Sequence, residues 1–142
     1  MKNLLKMTAI AALTFTSISA FAASQQAEEV KKFQAWEETA SKKLEASFDA
    51  ISVASANSNA TETEAAVAAF DKQAAENVAE LEALGIKSEE VSPLVSMYKE
   101  YVDAEKEVVQ LILSQVKSPS LDNAGKVPEA VAKANQKDDA ID

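Results

Sequence analysis

The sequence of 142 residues contains no cysteine, no histidine and no arginine. Without cysteine and histidine there can be no disulfide, no zinc site of the usual thiolate and imidazole kind, and no catalytic triad or Cys–His pair. An imidazole acting as a general base near neutral pH is excluded as well. The chain must therefore be held together by packing, and we expect no metal ion and no other cofactor.

Carboxylates are the catalytic residue type that remains. Several acids are adjacent in the sequence, as in Glu28-Glu29, Glu37-Glu38, Glu89-Glu90 and Asp138-Asp139. Paired acids can hydrolyse glycosides, but such enzymes need a cleft that is normally built on a larger scaffold. We interpret these pairs as solvated helix faces or helix ends, and we expect that the protein is not an enzyme.

Basic residues are outnumbered by acidic ones, with 14 Lys against 23 Asp and Glu and a formal net charge of −9. A strongly negative surface repels nucleic acid and anionic lipid. The lack of arginine also removes the planar, bidentate donor that recognises phosphate. The charge therefore excludes nucleic acid as a partner and leaves a protein partner as the expected one.

The first 22 residues have the pattern of a secretory signal peptide. Lys2 and Lys6 form a positive n-region, residues 7–18 are mostly apolar but too short to span a membrane, and Ala20-Phe21-Ala22 supplies the small residues that signal peptidase requires. With no cysteine at the cleavage site for lipid attachment, no stable membrane anchor is expected after cleavage. We predict a periplasmic or secreted product whose formal charge, after loss of the two lysines, is −11.

Residues 23–142 are predicted to form a single helical domain, because the chain has only two Gly and three Pro and its apolar residues recur every three or four positions. The first helix is expected from about Gln26 to Ser55. A Thr-x-x-Glu capping box, Thr61 to Glu64, starts the second helix, and Gly85 ends it in a left-handed conformation. These helices carry apolar stripes formed by Val30, Phe33, Trp36, Ala40, Leu44, Phe48 and Ile51, and by Val67, Phe70, Ala74, Val78, Leu81 and Leu84.

The third helix is predicted to begin with Ser92 as N-cap and Pro93 at the first helical position, and to end at Ser118-Pro119. Residues 119–142 are expected to form a loop, a short helix opened by Val127-Pro128, and a frayed tail. Short connections between long helices favour antiparallel neighbours. The predicted fold class is therefore all-α, a small antiparallel up-down bundle of three long helices, and whether the fourth segment completes it is left open.

Four residues are candidates for binding a partner: Trp36, Tyr98, Tyr101 and Glu105. Glu105 interrupts the apolar line between Val102 and Val108, so it is either a buried ligand contact or lies at the edge of the stripe and reaches water; we favour the edge. Tyr98 shares a face with Val102, which places Tyr101 on the margin of that face. Aromatic residues at a margin can anchor a partner, although they are more often core and boundary residues.

These features favour a protein that binds another macromolecule, and two kinds of binding protein fit them. One is an adaptor or chaperone-like protein that offers an apolar groove, and the other is an inhibitor or immunity-type protein whose acidic surface docks on a basic target. The alternatives are a carrier of a small apolar ligand within the bundle and a structural oligomer of the envelope. The oligomeric state is not predicted.

We expect the protein recovered from the cell envelope to begin at Ala23 or within one or two residues of it, because Ala20 and Ala22 match the cleavage pattern. N-terminal sequencing and the intact mass of the exported protein test this. Exported protein that still carries Met1 would contradict it.

Overall fold

The protein is described here by a computed structural model that covers residues 20–141, with side chains from Ser24 onward. It contains four helices, α1 (Ala20–Ala56), α2 (Ala60–Ala83), α3 (Ser92–Lys117) and α4 (Leu121–Asp138). The all-α prediction is confirmed, since the described part of the chain has no strand. Most of the predicted signal peptide, residues 1–19, lies outside the described residues.

The helices alternate in direction, as ion pairs between neighbours show. Lys43 on α1 pairs with Glu80 on α2, Lys99 on α3 pairs with Glu82 on α2, and Lys133 on α4 pairs with Glu107 on α3. Second contacts, Lys117 with Glu64 and Lys137 with Glu100, show that the residue numbers of α2 and α3, and of α3 and α4, run in opposite directions. The hydrogen bonds from Asn77 to Ala40 and from Ser88 to Glu29 show the same for α1 and α2, which is the expected antiparallel arrangement. Among the described helices α4 approaches the backbone of α3 alone, whereas α3 also approaches both α2 and α1.

No helix within residues 20–141 combines the length and the apolar character that crossing a membrane requires.

The predicted apolar stripes of α1 and α2 form most of the core. Phe33, Leu44 and Ile51 on α1 and Phe70 and Leu81 on α2 are each at most 2 % exposed. The periodicity of apolar residues therefore identified the buried faces of α1 and α2, although Val30, Val78 and Leu84 of the predicted stripes are only half-buried. Alanines at Ala40 and Ala74 are fully buried as well, which lets the two helices approach closely.

A single asparagine joins three of the helices inside this core. Asn77 on α2 is fully buried, and its Nδ2 donates to the Ala40 carbonyl of α1 at 3.0 Å and to the Tyr98 hydroxyl of α3 at 3.3 Å. Its Oδ1 accepts a hydrogen bond from Gln73 Nε2 at 3.0 Å. A buried amide without partners would cost about 1–3 kcal/mol, so these bonds favour one relative placement of α1, α2 and α3.

The start of α2 differs from the predicted capping box. Asn59 is the N-cap, and its side chain accepts a hydrogen bond from the Glu62 backbone N–H at 3.1 Å. Thr61 and Glu64 therefore lie within the helix. Asn and Thr both suit the N-cap position. Asn59 takes it here in an extended conformation, so the N-cap lies two residues before the predicted Thr61.

The connection between α2 and α3 confirms one prediction and corrects another. Gly85 has a φ of +64°, the left-handed conformation expected of a residue that follows a helix. The N-cap of α3 is Val91, which makes no side-chain cap hydrogen bond, so Ser92 is the first helical residue and Pro93 the second. Pro93 still costs no hydrogen bond, because the first-turn N–H groups have no helical acceptor.

Helix α4 is the main departure from the prediction for residues 119–142. The loop expected at Leu121–Gly125 is the first part of an 18-residue helix. Ser120 caps it, since its Oγ accepts from the Asn123 N–H at 3.0 Å. Pro128 lies inside the helix on an exposed face, although proline lacks the N–H that would bond to the preceding turn.

The predicted frayed tail is also ordered at its start. Asp138 is 8 % exposed, and Ile141 beyond the end of α4 is 2 % exposed and belongs to the core. A tail residue in the core ties the C-terminal end of α4 to the bundle.

Replacing Trp36, the one tryptophan of the sequence, by alanine is expected to cost about 3 kcal/mol or more of unfolding free energy, because Trp36 is 8 % exposed and its removal leaves a cavity. Chemical denaturation measures the loss, and the wild-type fluorescence maximum should be blue-shifted. Val53→Ala on the same helix is the control, since Val53 is 64 % exposed. Emission that acrylamide quenches readily in the native protein would contradict this burial.

Candidate functional site

An apolar groove lies between α1, α3 and α4. It has a volume of about 390 Å³ and lies where the C-terminal parts of α1 and α3 meet the N-terminal part of α4. Nine residues line it, and most of them are apolar: Phe48, Ser52, Ser55, Ala56, Ile112, Gln115, Val116, Ala124 and Val127. We call it the end groove.

The groove is open because α4 leaves this end of the bundle uncovered. No residue in the first half of α4, from Leu121 to Glu129, is buried, and its buried residues begin at Ala130. Leu121, three residues before Ala124 on the same side of the helix, is 94 % exposed. A long apolar side chain in water next to an apolar groove extends the apolar surface beyond the groove itself.

The chemistry of the groove is that of a binding surface. Its lining residues include no titratable side chain, and its polar members are Ser52, Ser55 and Gln115. Ser55 Oγ donates to the Ser52 carbonyl at 3.0 Å, and Gln115 Oε1 accepts from the Ser120 N–H at 3.2 Å. The walls therefore offer dispersion contacts and burial of apolar surface, with a few hydrogen-bonding groups at hand.

The structure brings three of the predicted site residues together, away from this groove. The ring centroids of Trp36 and Tyr98 lie 4.6 Å apart in an edge-on arrangement, and those of Tyr98 and Tyr101 lie 6.0 Å apart. Phe33 extends the row on the other side of Trp36, at 5.6 Å. Tyr101 is 1 % exposed, so its predicted place on the margin of the face is wrong. The row is part of the core and presents no surface in the folded chain.

Glu105 is also buried, contrary to the favoured prediction that it reaches water. It is 3 % exposed, and its Oε1 has no hydrogen-bond partner in the protein. Burial, and secondarily the negative charge of Asp138 on α4, raise the pKa of Glu105 to about 7. The prediction failed because residues 119–142 were expected to form only a short helix with a frayed tail, whereas α4 brings Asp138 to this carboxyl group.

The pKa values of the Tyr98 and Tyr101 hydroxyls are shifted by burial in the same part of the core. Burial raises the pKa of both Tyr98 and Tyr101 above the ordinary range, and the charges of Glu105 and Asp138 add to the effect at Tyr101. The Tyr98 hydroxyl bonds to Asn77, whereas the Tyr101 hydroxyl has no partner in the protein. Tyr101, Glu105 and Asp138 thus form a buried polar cluster between α3 and α4, which we call the acid cluster.

Glu29 was predicted to lie on a solvated helix face or end, and this prediction is wrong. It is 5 % exposed and accepts hydrogen bonds from the Ser88 hydroxyl at 2.6 Å, the Ser88 N–H at 2.9 Å and the Lys87 N–H at 3.2 Å. These donors, with that of the Ser88 hydroxyl contributing most, lower the pKa of Glu29 to about 2. Glu29 therefore fixes the loop between α2 and α3 to α1. Its position four residues before Phe33 and seven before Trp36 places it on the buried face of α1, whereas Glu28 is exposed.

Within residues 20–141 no three acidic side chains lie together in an arrangement that could hold a metal ion.

A model of the family described as "Uncharacterised lipoprotein PM1805" matches residues 27–142. No curated protein and no solved structure matches the chain. The matched range covers nearly all of the predicted mature domain, including α4 and its C-terminal extension. The description of a lipoprotein implies an exported protein of the cell envelope, in agreement with the predicted export signal, although this sequence has no cysteine.

We expect Glu105 to make the protein less stable as the pH rises from about 4.5 to about 7. The pKa of this carboxyl group is higher in the folded chain than in the unfolded chain. Its contribution to the free energy of unfolding is therefore complete below the pKa of the unfolded chain and is lost as the pH rises through the pKa of the folded chain. The loss should reach about 3 kcal/mol above pH 7. Urea denaturation at several pH values measures it, and Glu105→Gln should abolish this decline.

Glu29→Gln is the matched control, because the pKa of Glu29 is shifted the opposite way. Its contribution is present above about pH 4.5 and is lost as the pH falls toward 2. The variant should be less stable than wild type at pH 7 and should keep the decline between pH 4.5 and 7. An unchanged decline in Glu105→Gln would contradict the assignment to Glu105.

Proposed function

The chain belongs to the uncharacterised lipoprotein PM1805 family, and we propose that it works in the cell envelope by binding another protein, without catalysis. The end groove is the site that we assign to this binding. We place the mature protein in the periplasm or outside the cell, without a lipid anchor at the predicted cleavage site, since no cysteine is there to carry one.

The observation that carries the proposal is the combination of the end groove with the exposed Leu121. Isolated apolar residues on a surface are ordinary, but a contiguous apolar groove marks a site of interaction. Here the groove walls of α1, α3 and α4 are apolar, and Leu121 adds a side chain that is 94 % exposed.

Leu121 also favours a protein over a small molecule as the occupant. A groove of about 390 Å³ has the size of a small-ligand site. A small molecule held between Phe48 and Val127 would, however, leave the nearby Leu121 in water. A protein surface that fills the groove can cover Leu121 at the same time and gain the additional burial, about 25 cal/mol for each Å² of apolar surface.

The shape and the charge of the molecule indicate the kind of partner. The groove lies between helices that run in opposite directions, and an amphipathic helix laid along such a groove would insert side chains spaced three and four residues apart. The mature chain has a formal charge of −11 after loss of Lys2 and Lys6. We therefore propose an amphipathic helix of a partner protein, with basic residues flanking its apolar face.

The same charge argues against the oligomer alternative, because identical acidic chains repel one another when they associate. The carrier of a small apolar ligand remains the second candidate, on the strength of the groove volume alone. Native mass spectrometry of the purified protein distinguishes it, since a carrier retains an apolar molecule of defined mass.

Site-specific crosslinking tests the assignment of the groove. A photoreactive phenylalanine analogue at Leu121 should crosslink a protein partner in intact cells, and the same analogue at Val53 should not. Val53 is the matched control because it is an exposed apolar residue, 64 % exposed, that does not line the groove. The crosslink should be lost when Val127 in the groove wall is replaced by lysine.

Binding of the identified partner to purified protein then gives the quantitative outcome. Val127→Lys should raise the Kd at least 10-fold, because it places a charge against apolar side chains, and Val53→Lys should leave it unchanged. Equal affinity of Val127→Lys and wild type would refute the groove as the binding site. A retained lipid-like molecule with no protein crosslink would support the carrier instead.

A further inference from the structure

Helix α4 is held to the rest of the protein by a small set of contacts. Its buried side chains are Ala130, Ala134 and Asp138, with Ile141 just beyond its end. Alanine buries little apolar surface, and each further buried CH₂ contributes only about 0.8 kcal/mol. Among the described helices α4 packs against the backbone of α3 alone. Its attachment therefore depends strongly on whatever else lies at the α3–α4 contact.

What lies there is the acid cluster. Glu105 on α3 and Asp138 on α4 are both more than nine-tenths buried, and the charge of Asp138 acts on Glu105. Tyr101 on α3 is 1 % exposed, and its hydroxyl has no hydrogen-bond partner in the protein. The charges of both acids raise the pKa of this hydroxyl. Like charges held close together in a buried site repel strongly, so ionisation of both acids is unfavourable with α4 in place.

Other charged groups lie close to the acid cluster. On the exposed side of the same contact, Lys133 pairs with Glu107 and Lys137 pairs with Glu100, each at 2.6 Å. From α1 and α2, the charges of Glu37 and Glu80 act on the Tyr98 hydroxyl. The charge that acts on Glu105 comes from α4.

We propose that the acid cluster is a proton-controlled latch, in which a proton on the Glu105–Asp138 pair holds α4 against α3 and its loss releases α4. The pair keeps a proton in mildly acidic conditions, and α4 stays docked. As the pH rises through about 7, where the pKa of Glu105 lies, the second carboxyl group ionises. The α3–α4 contact then carries two buried negative charges, and detachment of α4 returns both of them to water.

The latch would regulate the end groove, because α4 supplies Ala124 and Val127 to its lining. This consequence rests on the proposed function, whereas the latch itself does not. With α4 docked the groove has the form described here. With α4 released the groove loses one wall, and the partner should bind more weakly at alkaline than at acidic pH.

Hydrogen exchange of the isolated full-length mature protein tests the latch without any partner. We compare protection factors, corrected for the intrinsic effect of pH, for peptides of α4 and of α2 at pH 5.5 and pH 8. In wild type, the protection of α4 should fall about 10- to 100-fold more than that of α2 between these values. In Glu105→Gln, which keeps the size of the side chain but cannot ionise, this extra loss should disappear.

Glu107→Gln is the matched control, because it removes one negative charge from the same contact at a half-exposed ion pair. It should keep the pH-dependent loss of protection, whereas Asp138→Asn should reduce this loss without abolishing it, because burial contributes more than the charge of Asp138 to the raised pKa of Glu105. The latch is refuted if α4 and α2 lose protection equally in wild type, or if Glu105→Gln behaves as wild type.

The two proposals fail separately. Crosslinking at Leu121 that is unaffected by Val127→Lys overturns the groove and leaves the exchange result intact. Exchange of α4 that does not depend on Glu105 overturns the latch, even when the partner binds in the groove.

Discussion

The hydrogen bonds of the Asn77 side chain determine how the first three helices stand relative to one another. The amide is fully buried and bonds to the backbone of α1 and to Tyr98 of α3 from its position on α2. Apolar contacts between helices tolerate sliding, whereas a buried amide loses its partners when a helix shifts. The aromatic row of Trp36 and Tyr98 packs beside this point, since the Tyr98 hydroxyl accepts a hydrogen bond from Asn77.

Helix α4 is not part of that arrangement, and the features of functional interest follow from this. It packs on α3 through small side chains, and its N-terminal half leaves the end groove open. Its C-terminal half brings Asp138 toward Glu105. One helix thus forms a wall of the proposed binding site and also covers the buried acid that we propose to control it.

Glu29 and Glu105 show how the same side chain acquires opposite properties in one small protein. Both are buried, with 5 % and 3 % of their surface exposed. Glu29 meets two backbone N–H groups and a hydroxyl, which stabilise its negative charge. Glu105 meets apolar surroundings and a second carboxyl group, which stabilise its neutral form. Hydrogen-bond donors lower the pKa of Glu29, and burial away from such donors raises that of Glu105.

The sequence alone determined the helical class, most of the buried stripes of α1 and α2, the left-handed Gly85 and the end of α3 before Pro119. These features depend on local rules, namely the 3.6-residue period, the conformational freedom of glycine and the missing N–H of proline. Tertiary structure decided the extent of α4, the burial of Tyr101 and Glu105, and the role of Glu29. A helix face is buried only if another element covers it, and for Glu105 that element is α4, whose own stripe of alanines is too weak to recognise. For Glu29 the decisive partners are Lys87 and Ser88, 58 and 59 residues away in the sequence, a distance over which no local pattern carries information.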